Sequence, residues 1–410
     1  MKNSIIKKES PNYGWYILII TGLTYAIVAG INRLCMPVLF TEVGKDLSLN
    51  ATQIGTIWGM DPLAGIFVGL PAGLLADRFG VKRSLTVLCI LAGVFGSLRG
   101  FSNSFFSLAA TMFLFGLMSA AAPSIIPKVT AEWFSGKWLA LSNALLNVLW
   151  SVGGMTATIW TATYFSPLLG GWHNVLYYYG IPCVLLGLIW LFTGRDPKPV
   201  AAAGKDVSSG KVPFKEAMAH VIHVKEVWLI GIITLTQWGS SMGLFGYLPY
   251  YLENTAGWSK SAAGNTITVF SLMMLLGSIP MALLSDKLNT RKGVLIISIL
   301  ALVACQMLIP FLQPTGVWIV IVIGAFLRSG SSSLFNVMVF EIPGIGSKYG
   351  GTAIGLSSTV SMVGAFLAPP VGNSLQHFGH AMPFIFWGIL ALAAVPMMAL
   401  IKSQPKVYVR

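Results

Sequence analysis

Four charged side chains, Arg33, Asp61, Arg99 and Arg328, fall within long runs of apolar residues. A charge at the centre of a membrane-crossing helix costs about 3 kcal/mol or more, so each is by default a functional residue. Arginine is a permanent cation, and its planar fork of donors matches a carboxylate or a comparable oxyanion. Arg33 and Arg328 are therefore candidate ligands for a small anion. Asp61 lies about nine residues into its run and Arg33 about seven into its own, which at 1.5 Å per residue gives them similar depths. Two arrangements stay open: an Arg33 to Asp61 pair, which would neutralise one of the anion ligands, or an Arg33 free for substrate. If transport is coupled to protons, Asp61 is the expected carrier within the membrane. Arg99 is about four residues from the end of its run and is expected to snorkel to the headgroups. Arg328 is about twelve residues in, roughly 18 Å deep in a core about 30 Å thick. No acid lies within two turns of it on its own run, and Glu341 is thirteen residues away.

Polar neighbours recur at helical spacing: Arg328, Ser332 and Asn336; Thr234, Gln237 and Ser241, with Trp238 adjacent; Tyr25 and Asn32. Such stripes either wet a cavity or join helices in lipid. Their inclusion of arginines favours the cavity. Enzyme chemistry finds little support. No Gly-rich phosphate loop with Lys-Ser or Lys-Thr is present, which weighs against an ATP-driven pump. The five histidines lie at or beyond the ends of the apolar runs, and His220 with His223 lacks companion ligands, so neither metal nor cofactor is expected.

These residues need a membrane to position them. The 410 residues are 55% hydrophobic and only 10% charged, more apolar surface than one soluble core can hide. Stretches of about 20 apolar residues recur, and we read spans at 15 to 40, 52 to 76, 83 to 102, 105 to 128, 138 to 165, 172 to 193, 227 to 251, 261 to 284, 293 to 312, 316 to 340, 350 to 374 and 380 to 401. Runs so long and continuously apolar fit helices, not alternating barrel strands. The expected fold is an all-α polytopic membrane protein of twelve transmembrane helices, in two pseudo-symmetric six-helix bundles around a central cavity. The net charge of +13 would suggest nucleic acid in a soluble protein, but its placement excludes that partner. One alternating set of loops holds Lys2, Lys7, Lys8, Arg78, Lys82, Arg83, Lys137, the basic residues from Arg195 to Lys225, Lys287, Arg291, Lys292, Lys348, Lys402, Lys406 and Arg410; the other holds Lys45 and Lys260. The positive-inside rule makes the first set cytoplasmic, with both termini inside. The N-terminus reads as a retained first span, not a cleaved signal. Cys35, Cys89, Cys183 and Cys305 fall within spans, as small buried apolar residues.

A polar stretch from Gly194 to Glu226 divides the chain into an N-terminal bundle (1–193), a cytoplasmic linker (194–226) and a C-terminal bundle (227–410). Residues 213 to 227 alternate apolar and charged side chains, either as a helix on the inner membrane surface or as a tether. The segment GLPAGLLADRFGVKR (69 to 83) recurs as SIPMALLSDKLNTRK (278 to 292). Asp77 and Asp286, Pro71 and Pro280, Lys82 and Arg291, Arg83 and Lys292, Gly55 and Gly264, and Glu132 and Glu341 all stand 209 residues apart. A shared register across so many residue types argues for a duplicated six-helix unit, and such parallel repeats place a substrate site between the halves near the midplane.

The run Gly73-Leu-Leu-Ala-Asp77-Arg78-Phe-Gly80-Val-Lys82-Arg83 resembles the signature of the major facilitator superfamily, in the expected loop between helices 2 and 3. The resemblance covers essentially the whole chain. The second copy is degraded, with Ala282 and Asn289 in place of the glycines. It implies that Asp77 helps to hold an outward-facing state, that Glu132 and Glu341 are acidic partners of Lys82, Arg83, Arg291 and Lys292, and that helices 1, 4, 7 and 10 line the cavity, so that Arg33 and Arg328 face each other. SAAAPSIIPKVTAEWF (119 to 134) and MGLFGYLPYYLENTAGWS (242 to 259) are similar to the cyanate/nitrate-type and anion:cation symporter branches, although Asn32 replaces the acidic neighbour of the helix-1 arginine and that arginine lies closer to Pro37. The expected function is secondary active transport of a small carboxylate or inorganic anion by a monomer in a plasma or bacterial inner membrane, with a coupling proton as a further expectation. Two rivals are a proton-coupled exporter of drugs or metabolites and a transporter-like receptor. Against the first, Ser151-Val-Gly153-Gly154-Met lacks the Gly-Pro pair of antiporters; against the second, the chain has only short tails.

Overall fold

In a computed structural model of the chain, the described residues are 11–196, 214–288 and 291–401. The terminal lysines, most of the linker and Asn289 lie outside them. So do the side chains of Asp77, Asp286, Ser332 and Asn336, although the backbones of these four are placed. No strand occurs among the described residues.

Twelve spans follow in chain order. α1 runs over residues 11–46, α2 is Ala51–Phe79, α3 is Val81–Leu98, α4 joins Phe105–Ser119 to Ala122–Trp133, α5 covers residues 137–169 and α6 is Trp172–Thr193. In the second half α7 is Lys225–Asn254, α8 is Lys260–Lys287, α9 is Arg291–Leu308, α10 joins Pro314–Arg328 to Ser331–Phe340, α11 is Gly346–Ser374 and α12 joins Met382–Leu392 to Ala394–Leu400. The amphipathic stretch before α7 forms a short helix, Phe214–Ile222, bent by 83° from α7. α1 and α4 are longer than expected, because the ladder of backbone bonds continues into polar turns that hydropathy excludes.

Local chemistry sets the ends. Asn50 and Gln53 form a reciprocal capping box at α2, as Ser104 and Ser107 do at α4. Gly80 ends α2 at φ +84°, where a Cβ would be strained and would also meet the Asp196 carboxylate. Asp196 in turn accepts from the Lys82 amide at 2.8 Å, at the start of α3.

The repeat is visible in the backbone. α2 and α8 begin 209 residues apart, as do α4 and α10, and α5 and α11. Both α4 and α10 are broken, and at the same register: one stops at Ser119 and resumes at Ala122, the other stops at Arg328 and resumes at Ser331. α1 is irregular too, with a π-helical stretch Tyr25–Ile31 and a turn at Cys35.

The two halves meet at the end of the molecule opposite the basic loops. There α11 lies on α2 so closely that a Cβ on Gly55 or Gly59 would be 2.8 and 2.7 Å from the carbonyls of Pro369 and Phe366. The Trp58 indole donates to the Met242 carbonyl at 2.9 Å, Asn254 to Thr41 at 2.9 Å and Asn373 to the Ala51 carbonyl at 2.9 Å. Lys260 of α8 bridges to Glu42 of α1 and donates to Ser166 of α5. These contacts between the halves seal that end of the molecule. Towards the basic end, a Cβ on Gly69 would meet nothing within 4 Å.

Candidate functional site

Arg33 and Asp61 form an ion pair of 2.7 Å, with the Asp61 side chain 2% exposed and that of Arg33 21% exposed. The second Asp61 oxygen accepts from the Ser119 hydroxyl, at the break in α4. Gly116, one turn earlier, lets α4 approach the Asp61 backbone: a Cβ there would be 2.8 Å from the Asp61 Cα. One carboxylate thus links α1, α2 and α4. The Arg33 Nε is buried without a partner, so the guanidinium is only partly used.

Arg328 ends the first segment of α10 and is 8% exposed. One terminal nitrogen donates to the Ser241 hydroxyl of α7, the other faces the Met274 sulfur of α8 at 4.0 Å, and Nε is buried without a partner. These partners are neutral. The repeat explains the difference from the first half: the 209-residue register puts Ser119 opposite Arg328, Asp61 opposite Phe270 and Arg33 opposite Met242. Where the first half places a carboxylate, the second places a fully buried phenyl ring.

Tyr25 is half-buried on α1 with its ring 6.2 Å from that of Trp150, and Trp150 donates to the Ala29 carbonyl of the π-helical stretch. Ser241 touches Arg328 directly. The other members of the expected stripes turn elsewhere. Asn32 is fully buried among α1, α3 and α6, donating to the Tyr179 carbonyl at 2.8 Å and accepting from Arg99 at 3.1 Å, so it faces the bundle interior and not a cavity. Gln237 is buried against α12, donating to the Ala391 carbonyl at 2.9 Å, whereas Trp238 is 42% exposed. Adjacent residues of a helix point about 100° apart, so Gln237 and Trp238 meet different surroundings. The side chains of Ser332 and Asn336 lie outside the described set.

Arg99 departs furthest from expectation. It does not snorkel: it is fully buried, donating to the Asn32 carbonyl at 2.9 Å, to the Asn32 side chain at 3.1 Å and to the Gly96 carbonyl at 3.2 Å, and its guanidinium lies 4.0 Å from the Phe115 ring centre. Asn32, between the π-helical stretch and the turn at Cys35, offers both of its oxygens, and with the Gly96 carbonyl these replace water around the cation.

At the basic end, Arg291 pairs with Glu341 at 2.8 Å and Lys292 donates to the Ile401 carbonyl. Lys128 of α4 donates to the carbonyl of Gly73. Arg78 and Arg83 are exposed, Arg78 lying 5.5 Å from the Phe79 ring centre, and Lys82 is half-buried with its amide on Asp196. Glu132 lies in the last turn of α4 and has partners of its own. Asp77 and Asp286 stand near the ends of α2 and α8.

Ser119, Met274, Trp150 and the Glu42 to Lys260 bridge were not singled out from the sequence. The repeat register carried a signal for Ser119, as the counterpart of Arg328.

The Major Facilitator Superfamily profile matches residues 21–264 and, again, 231–409. The chain belongs to this superfamily. Relatives include a probable galactarate/D-glucarate transporter of Bacillus subtilis, 26% identical over 93% of this chain and 90% of that one. A probable sulfoacetate transporter of Cupriavidus necator is 23% identical over 88% of each chain, and a nitrite extrusion protein of Bacillus subtilis is 22% identical over 87% of each. Among solved structures, a bacterial homologue of the lysosomal transporter Spinster, crystallised inward-facing and unoccupied, matches with TM-score 0.79 and 18% identity over 95% of this chain and 96% of that one. The nucleoside transporter NupG matches with TM-score 0.79 and 13% identity over 95% of this chain and all of that one. This member of the major facilitator superfamily is thus a multi-pass membrane transporter of a small molecule and not an enzyme.

Proposed function

We propose that the protein carries a small carboxylate or inorganic oxyanion by alternating access, with Arg328 as its principal contact and Arg33 as a second contact released from Asp61 when substrate arrives. The observation that carries this reading is Arg328: a permanent cation, 8% exposed, with a hydroxyl, a thioether and one unmet nitrogen around it. Such a charge is costly unless water or an anion compensates it. The acidic substrates named for three relatives agree in charge.

The basic loops put both termini in the cytoplasm of a plasma or bacterial inner membrane, which makes the sealed end the outer one and the conformation inward-facing. Residues 1–193 and 227–410 are the two rocking units, 194–226 joins them, and the monomer suffices. Asp61 carries the coupling proton, exchanging Arg33 for a proton as the anion takes the arginine. Asp77, with Asp286 as its counterpart, governs switching.

The test is equilibrium binding of D-glucarate, galactarate, sulfoacetate and nitrite to purified wild type, Arg328→Lys and Arg328→Gln. The wild type should bind at least one, Lys should retain part of the affinity because it offers charge without the fork, and Gln should lose most. Equal binding by wild type and Gln would remove the anion assignment.

A further inference from the structure

Arg99 has no role in the exchange just described, yet it is the most completely buried charge in the described chain with hydrogen bonds on all three guanidinium nitrogens. Two of its three hydrogen bonds to oxygen converge on one residue of α1, and the third returns to the Gly96 carbonyl. Two of its nitrogens grip Asn32, one on the backbone carbonyl and one on the side-chain oxygen, at 2.9 and 3.1 Å. Asn32 directly follows the π-helical stretch of α1, bonds back to the Ile27 carbonyl through its amide side chain at 3.3 Å, and directly precedes Arg33. A π-helical stretch holds one residue more than the α-helical ladder accommodates, and that surplus can shift along a helix unless something fixes its edge. Three residues beyond Asn32 the helix turns again at Cys35, and Pro37 has no amide with which to bond the Arg33 carbonyl. Arg33 therefore sits on a three-residue helical piece between two irregularities, a segment too short to keep its own register. The Arg99 fork is what ties this piece to α3.

The residues on which Arg99 packs adjoin the partner of Arg33. Arg99 lies against Met112 and Phe115 of α4, while Gly116, the next residue of α4, packs on Asp61. Arg33 thus meets Asp61 directly, while Arg99 packs on the α4 residues next to Gly116, which bounds Asp61.

We infer that Arg99 is a positioning residue for Arg33: by clamping Asn32 it fixes the register of the short piece of α1 and so holds the Arg33 guanidinium at Asp61, where, on the function proposed above, an arriving anion meets it. Arg99 itself touches no substrate.

A double-mutant cycle of Arg99→Lys with Arg33→Gln tests this, read first as the thermal unfolding midpoint in detergent without any ligand and second as D-glucarate affinity. Lys keeps the charge but not the fork. Arg99→Lys should weaken D-glucarate binding roughly tenfold in the wild-type background and less than about twofold where Arg33 is already Gln, and the two losses of unfolding midpoint should likewise fail to add. Should Arg99→Lys not fold, Asn32→Ala takes its place in the same cycle, since it removes one arm of the clamp and leaves Arg99 intact. Additive losses in unfolding midpoint would overturn the inference and leave a packing role only. Non-additive midpoints in a protein that binds no anion would uphold the positioning of Arg33 and overturn the proposed substrate class instead.

Discussion

Ser119 and Arg328 occupy the same place in the two halves of the protein: each is the last residue before a break in its helix, 209 residues apart, and each points a hydrogen-bond donor at a neighbouring helix. Ser119 finds the carboxylate of Asp61, which is already paired with Arg33. Arg328 finds only the Ser241 hydroxyl and the Met274 sulfur. The repeat has therefore diverged into one half whose cavity charges largely cancel and one whose charge does not.

Transferring the counter-charge across the repeat should remove the need for substrate. Phe270→Glu places a carboxylate at the second-half equivalent of Asp61 and gives Arg328 an internal partner. Anion affinity should fall by an order of magnitude or more, a loss comparable to that of a charge-assisted contact, while the unfolding midpoint holds or rises. Titration calorimetry beside a melting curve checks both; unchanged affinity in a folded protein would mean that Arg328 does not meet the anion.

Asp61→Asn frees Arg33 from its carboxylate. D-Glucarate binding should tighten by a few fold, because substrate no longer displaces an internal anion, and uptake into proteoliposomes should stop responding to an imposed pH gradient. Gradient-driven uptake that survives intact would exclude Asp61 as the proton carrier.

At the sealed end, Lys260→Gln breaks the bridge to Glu42, whose side chains are 18% and 29% exposed. A pair still partly reached by water is worth on the order of 1 kcal/mol, enough to shift a balanced two-state equilibrium by about fivefold. Spin labels at Leu168→Cys and Thr255→Cys, on exposed residues of opposite halves, should report a larger share of long distances in the variant. The four native cysteines are buried and do not compete for label.

Asp77→Asn should slow turnover and leave anion affinity within a few fold, since the loop after α2 stands away from both arginines. A large loss of binding with normal saturated turnover would assign Asp77 to recognition.

Most of the fold was legible in the sequence because lipid imposes long apolar runs and the duplication leaves a fixed register. Arg33, Asp61 and Arg328 were legible for the related reason that charge in lipid is rare. What periodicity did not reveal was direction. Gln237 and Trp238 lie side by side in sequence, yet one is bonded to α12 and the other is largely exposed. Distance from a helix end suggests lipid headgroups for Arg99, whereas Asn32, just past the π-helical stretch of α1 that leaves no mark in hydropathy, offers it two oxygens inside the bundle. The Arg33 to Asp61 pair is open on depth alone; in the structure it closes at 2.7 Å, and the contact of α2 with α4 through Gly116 brings the other oxygen of the same carboxylate to Ser119.

The uncompensated charge of Arg328 beside the cavity has an electrical consequence. An empty carrier that rocks its C-terminal half moves the uncompensated Arg328 through part of the transmembrane field, and each elementary charge crossing the full field responds by about 2.3 kcal/mol per 100 mV. A bound dianion such as D-glucarate, arriving with one proton on Asp61, cancels that charge, so the loaded carrier crosses with little sensitivity. Membrane voltage should therefore act on the return of the empty protein and not on the transit of its cargo: a step in potential applied to substrate-free protein should displace charge, and saturating anion should suppress that displacement.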